Sequence, residues 1–165
     1  MTSLRLLASP CLASLPALAA VSGSQDCSLK VWDLESGGLH SSLYTYNPIS
    51  RLVVAGARVV TATTGGKLEV FCLATSSCLL SQRVGEEGVT ALASLQGEGG
   101  LLVASGTGEG VVRLHRLQET EGGCELACLY VTEEVRSGPG VRLHCRPVSC
   151  LQIAGGGRER NSVSW

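Results

Sequence analysis

Aromatic side chains are scarce in this chain: one Phe, three Tyr and two Trp in 165 residues. A core built on aromatic stacking is therefore excluded, and burial falls to the Leu, Val and Ala that dominate a hydrophobic content of 44%. The same content excludes disorder as the general state. Neither sign of charge is in excess, with 13 Lys and Arg against 14 Asp and Glu. No global field draws the chain to a polyanion, so nucleic acid is not an expected partner. Long apolar runs are missing as well: Ser, Pro and Gly punctuate every Leu-rich stretch before it reaches the roughly 20 residues a membrane helix needs. No segment longer than about ten residues carries a helical stripe. At this length one domain is expected.

Eight cysteines amount to about 5% of the chain, below the roughly 8–10% of a disulfide scaffold, and their spacings are irregular. Free, mostly buried thiols in a reducing compartment follow, which points to the cytoplasm or the nucleus. A second reading starts from "MTSLRLLASPCLASLPALA" at the N-terminus, which imitates a secretory signal with Arg5 early, an apolar middle and Ala17-Leu18-Ala19 as a cleavage site. On that reading the mature chain is a small secreted Cys-rich or zinc-binding domain. Cys124, Cys128, Cys145 and Cys150 would then supply a tetrahedral site. Their spacings, three residues and four, are looser than the usual two-residue knuckle, and buried strand cysteines are the simpler account.

What is present is a repeat. "VSGSQDCSLKVWDL" (21–34), "VTATTGGKLEVFCL" (60–73) and "ASGTGEGVVRLHRL" (104–117) superpose without a gap. Val21, Val60 and Ala104 fall together, as do Ser22, Thr61 and Ser105, and Trp32, Phe71 and His115. "LASL" at 12–15 and again at 92–95 widens the unit. Inside each copy, apolar residues alternate with polar ones at the period of a strand, and small or acidic residues supply a turn. Spacing near 40 residues suits four short strands and their turns.

The run "SGSQDCSLKVWDLESG" resembles the end of a WD40 repeat. The resemblance is close over 12–43, looser over 49–83 and 89–117, and faint beyond. It implies an all-β chain: a partial WD40-like β-propeller of about three blades plus an incomplete fourth. The copies are expected at 12–43, 49–83 and 89–130, followed at 131–165 by the incomplete repeat and a flexible Gly- and Arg-rich tail carrying Arg136, Arg142, Arg146, Arg158 and Arg160. In this family a strand Ser or Thr, a turn Asp, a strand-end Trp and a His from a Gly-His pair form a buried network. Ser22, Asp26 and Trp32 match three of these roles, and Asp33 completes the Trp-Asp pair. The Gly-His dipeptide is absent, so the network lacks its fourth member, and Phe71 and His115 replace the tryptophan without its indole N–H.

A fourth copy beginning at "VSCLQI" has only 14 positions from Leu151 to Trp165, against 20, 19 and 23 from Leu12 to Trp32, Leu52 to Phe71 and Leu92 to His115. Open flanks and self-association through open blade edges are the expected consequence. "GTGEG" (106–110) lacks a phosphate-loop ending and falls at a strand-to-strand turn in the aligned copies. No G-x-S-x-G or comparable nucleophile signature occurs. The expectation is a truncated or alternatively spliced form of a longer propeller protein. It would act without catalysis, bind no cofactor and scaffold protein–protein interactions.

Overall fold

The computed structural model describes residues 3–8, 18–97, 99–120, 123–132 and 147–153. Cys145, the "LASL" at 12–15 and the Arg-rich tail lie outside them. The architecture is all-β, with no α-helix among the described residues. Twelve strands form three four-stranded antiparallel sheets, each a meander in chain order. The first holds β1 (Ser3–Ala8), β2 (Leu18–Gly23), β3 (Ser28–Asp33) and β4 (Leu39–Tyr44). The second holds β5 (Ile49–Ala55), β6 (Arg58–Thr63), β7 (Lys67–Cys72) and β8 (Ser77–Arg83). The third holds β9 (Val89–Gly97), β10 (Gly100–Thr107), β11 (Val112–Thr120) and β12 (Gly123–Val131).

The three sheets repeat one register. Val21 pairs with Val31, Val60 with Val70 and Ala104 with Leu114. Trp32, Phe71 and His115 stand opposite Ala20, Val59 and Val103. Between each of these residues and the one before it the fourth strand carries one extra residue, His40, Leu79 or Leu129, at a β-bulge. The turn between the second and third strands passes each time through a left-handed residue: Cys27 (φ 65°), Gly66 (φ 72°) and Gly110 (φ 85°). "GTGEG" forms that turn in the third sheet.

The first sheet differs from expectation in its opening strand, which is Ser3–Ala8 rather than a strand around Leu12. Leu4 stands opposite Ser22 as Leu52 stands opposite Thr61 and Leu92 opposite Ser105. Because β1 pairs with β2 along its whole length, removing residues 1–19 would strip the first sheet of its edge strand and cut into the next.

Neighbouring sheets stack through their first strands: β5 packs against β1 and β2, and β9 against β5 and β6. Side chains alternate between faces, so the middle sheet feeds two cores, one shared with each neighbour. Ala19, Val21, Leu29 and Val31 of the first sheet meet Val59, Phe71 and Leu73 of the second. Val60, Ala62, Leu68 and Val70 of the second meet Val103, Leu117 and Leu126 of the third. Phe71 and His115 thus face the sheet before their own, and the Val21–Val31 and Val60–Val70 pairs face the sheet after theirs. Phe71 and His115 are both 2% exposed in consequence.

Candidate functional site

Two ends of the stacked sheets carry loops. One end gathers the turns that enter each third strand and the links between sheets, among them "YTYNP" (44–48) with its exposed Tyr44 and Tyr46. Thr45 pins this link: its N–H donates to the Cys27 carbonyl at 2.9 Å, and its hydroxyl lies 2.7 Å from the Asn47 carbonyl and 3.2 Å from that of Cys27. Ile49 N–H donates to Ser24 O at 3.0 Å, and Thr64 N–H to Pro48 O at 3.0 Å. With the backbone held at both margins, Tyr44 and Tyr46 project outward, 74% and 90% exposed. The Lys67 ammonium lies 5.9 Å from the centroid of the Tyr46 ring, a cation–π contact that orients the ring. Arg83 and Glu86 form an ion pair of 3.3 Å on the next link. Two exposed, amphipathic tyrosines on a hydrogen-bonded link offer apolar area with a polar tip at the rim.

At the opposite end a groove of about 500 Å³ runs between the second and third sheets. Arg58 and Glu119 form an ion pair along its wall. Cys72 is the strand partner of Arg58, and Cys124 that of Glu119. Burial alone would raise the Cys72 thiol, but the Thr75 hydroxyl and the N–H groups of Thr75 and Ala74, with the Arg58 charge nearby, hold it below its ordinary value. Burial pushes the Cys124 thiol up, against the pull of Arg58.

The four residues singled out by the family resemblance are divided by the structure. Trp32 Nε1 donates to Ser22 Oγ at 2.8 Å, and the Lys30 ammonium lies 5.9 Å from the Trp32 ring centroid. Asp26 does not join that pair: its Oδ1 accepts from the Ser28 N–H at 2.9 Å and the Ser28 hydroxyl at 2.6 Å, bonds that lower its pKa. Asp33 caps the following turn, accepting from the Ser36 hydroxyl at 2.7 Å and the Glu35 N–H at 2.9 Å, and its pKa is lowered for the same reason. Both aspartates therefore shape turns.

Cys124 and Cys128 lie on β12, against the second sheet and on an exposed surface respectively, while Cys150 sits on the segment 147–153. Among the described residues no group of three or more His, Cys, Asp or Glu is placed to hold a metal ion. Cys27, Cys72, Cys78, Cys124, Cys128 and Cys150 are all free thiols. No helix among the described residues is long and apolar enough to cross a membrane.

Sequence reasoning did not anticipate the polar groups sealed between sheets. Glu69, 2% exposed, accepts from the Ser81 hydroxyl at 3.0 Å through Oε1, while Oε2 has no partner. Both ring nitrogens of His115 and the Ser105 hydroxyl likewise lack partners. Their burial follows from the repeat register, since all three stand on faces turned toward the preceding sheet.

No family model matches the sequence, and no curated protein matches it. The chain is similar to solved structures. One is the crystal structure of the computationally designed Ika8 protein, with a TM-score of 0.67 and 20% identity over 93% of this chain and 40% of that one. Another is the computationally designed Ika4 protein, with a TM-score of 0.52 and 20% identity over 68% of this chain and 86% of that one. The chain thus spans about two-fifths of the length of the first. At such identity the likeness is one of fold.

Proposed function

We propose that the chain is a protein–protein interaction module of the WD-repeat type, its three sheets being successive blades of a β-propeller and residues 147–153 the opening of a fourth. The observation that carries this reading is the threefold recurrence of one register, one left-handed turn and one bulge around Trp32, Phe71 and His115. A propeller's work is to hold short loops rigidly at two rims. The Tyr44–Tyr46 link is the rim element best built for contact. Scaffolding without catalysis, in a reducing compartment, is consistent with the free thiols and with sealed polar residues that no substrate reaches. Function drawn from fold is an analogy, so the test is made on the rim. Cross-linking mass spectrometry in cells should recover a defined set of proteins bound to the parent chain. Those cross-links should disappear when Tyr44 and Tyr46 are both changed to Ala. An unchanged set with the folded double variant, or no set with the parent, removes the reading.

A further inference from the structure

Among the described residues the stack leaves two faces partly open, and they are complementary. Among the described residues no sheet stands before the Trp32 face of the first sheet. Trp32, Lys30 and Ser22 are half-buried there, where their counterparts Phe71, Glu69 and Thr61 are at most 2% exposed. Leu34 is 41% exposed, while its counterparts Leu73 and Leu117 are 1% and 6% exposed. On the third sheet it is the opposite face that opens. Val112 and Leu114 are half-buried, where Leu29 and Val31 in the first sheet, and Leu68 and Val70 in the second, are all fully buried.

Residues 147–153 lie on that third face as β5 lies on the first sheet. Val148 N–H donates to Thr107 O at 3.2 Å, as Ile49 N–H does to Ser24 O at 3.0 Å. The Thr90 hydroxyl lies 2.6 Å from Val148 O and 3.2 Å from Gly106 O, as the Ser50 hydroxyl lies 2.6 Å from Val89 O and 3.0 Å from Ala62 O. A Cβ at Gly106 would meet Val148 at 2.6 Å and Leu151 at 3.3 Å, just as one at Gly23 would meet Ile49 at 2.6 Å and Leu52 at 3.0 Å. The sequence agrees: Thr2-Ser3-Leu4, Ser50-Arg51-Leu52, Thr90-Ala91-Leu92 and Ser149-Cys150-Leu151 are four versions of one first-strand pattern. The described residues contain four first-strand segments and only three sets of second, third and fourth strands.

We infer that the open face of the third sheet receives the first sheet of a second copy of this chain, with residues 147–153 taking the first-strand place beside β2 of that copy. The occupant is argued from continuity. The contact would be a third use of the stacking that joins the first sheet to the second and the second to the third, with Trp32 and Leu34 of the incoming copy filling the place Phe71 and Leu73 fill internally. β1 and 147–153 carry the same pattern, so either can stand opposite Ser22, and the join is a strand exchange. The interface is heterologous, head to tail, and it yields rings or open chains of copies. The inference rests on sheet stacking alone and is independent of what the tyrosine rim binds.

The test is light scattering on the 165-residue chain over a wide concentration range, with Leu34→Glu blocking the head and Leu114→Glu blocking the tail. The parent is expected as dimers or larger species. Each variant alone is expected at the one-chain mass of 17.1 kDa. An equimolar mixture of the two should give dimers and nothing larger, because it contains one intact head for every intact tail. Where Leu114→Glu loses the parent's strand circular dichroism, Val112→Lys replaces it as the tail variant. A monomeric parent overturns the inference while leaving the rim reading intact, and so does a mixture that stays monomeric or a parent oligomer indifferent to both substitutions.

Discussion

Ser105 and His115 occupy in the third sheet the positions that Ser22 and Trp32 occupy in the first, yet no hydrogen bond joins them. The indole N–H of Trp32 reaches Ser22 at 2.8 Å. The smaller imidazole leaves both its nitrogens and the Ser105 hydroxyl without partners, in a site where the two residues are 2% and 0% exposed. Burial, and then the Arg113 charge, lower the His115 pKa from 6.5 to about 4. The neutral ring is thus favoured in the folded state, and the unfolded chain binds the extra proton. Stability is therefore full above pH 6.5 and falls as pH drops toward 4, by at most about 3 kcal/mol from this residue. His115→Phe, the residue used at the same place in the second sheet, should flatten that dependence. It should also raise stability at neutral pH by about 1 kcal/mol, since an unpartnered polar ring is replaced by an apolar one. Urea melts of parent and variant between pH 4 and 7.5 check both outcomes. Parallel curves would show that His115 does not titrate on unfolding.

The worth of the Trp32–Ser22 bond is measurable. Trp32→Phe and Ser22→Ala should each cost about 1 kcal/mol, and the double variant should cost less than their sum by about 0.5–1 kcal/mol, the coupling of one half-buried hydrogen bond. Strict additivity in denaturant melts would mean that the hydroxyl and the indole act separately.

Much of the strand core was legible because its signal is local. The gapless superposition of 21–34, 60–73 and 104–117 puts equivalent residues at equivalent places, and the pairings of Val21 with Val31, Val60 with Val70 and Ala104 with Leu114 repeat one register accordingly, because one residue of slip would turn a buried side chain to the opposite face. The first strand was misplaced for a physical reason. Ten chain steps separate the end of β1 at Ala8 from the start of β2 at Leu18, against three between β5 and β6. Connections drift in length where strands do not, and the repeated "LASL" imitated a period that the strands do not follow. Asp26 was legible as a turn residue but not as one detached from the Trp32–Ser22 pair, since that depends on distances between side chains.

The left-handed turn position offers opposite outcomes at equivalent sites. Cys27 holds φ 65° with a side chain, a conformation that costs a non-glycine residue about 1 kcal/mol, so Cys27→Gly should stabilise the chain by roughly 0.5–1 kcal/mol. Gly66 has φ 72°, and a Cβ there would lie 2.3 Å from Gly85 O and 2.7 Å from Glu87 O, both backbone atoms. Gly66→Ala should therefore cost about 2–4 kcal/mol, as strain and overpacking combine. Melting temperatures that move in the same direction for the two variants would contradict the shared geometry of the turns.

Thiol chemistry separates the two sequence readings of the cysteines. Under denaturing, non-reducing conditions all eight cysteines should titrate, whereas a disulfide-bearing secreted domain would give few. In the folded chain Cys72 should alkylate at lower pH than Cys78 or Cys124, whose thiols are pushed up by burial, because the thiolate is the reacting form. Peptide mapping after brief iodoacetamide treatment at several pH values reads the order directly. Cys124 modified ahead of Cys72 would contradict the assignment of the Thr75 and Ala74 donors to the Cys72 sulfur.

Gly106 separates docking of the last segment from folding of the sheets. A methyl group there would stand 2.6 Å from Val148 Cβ and Cγ1, and no real Cβ tolerates that approach, so either β10 or the segment 147–153 must give way. β10 is held on both sides by β9 and β11, while the described segment is held by Val148 N–H on Thr107 O, by the Thr90 hydroxyl and by apolar contact. The segment should yield. Gly106→Ala is therefore expected to abolish hydrogen-exchange protection of the Val148 amide and to leave the amides of Val60, Val70 and Val103 protected as in the parent. Loss of protection throughout the third sheet would instead show that residues 147–153 are a structural part of that sheet.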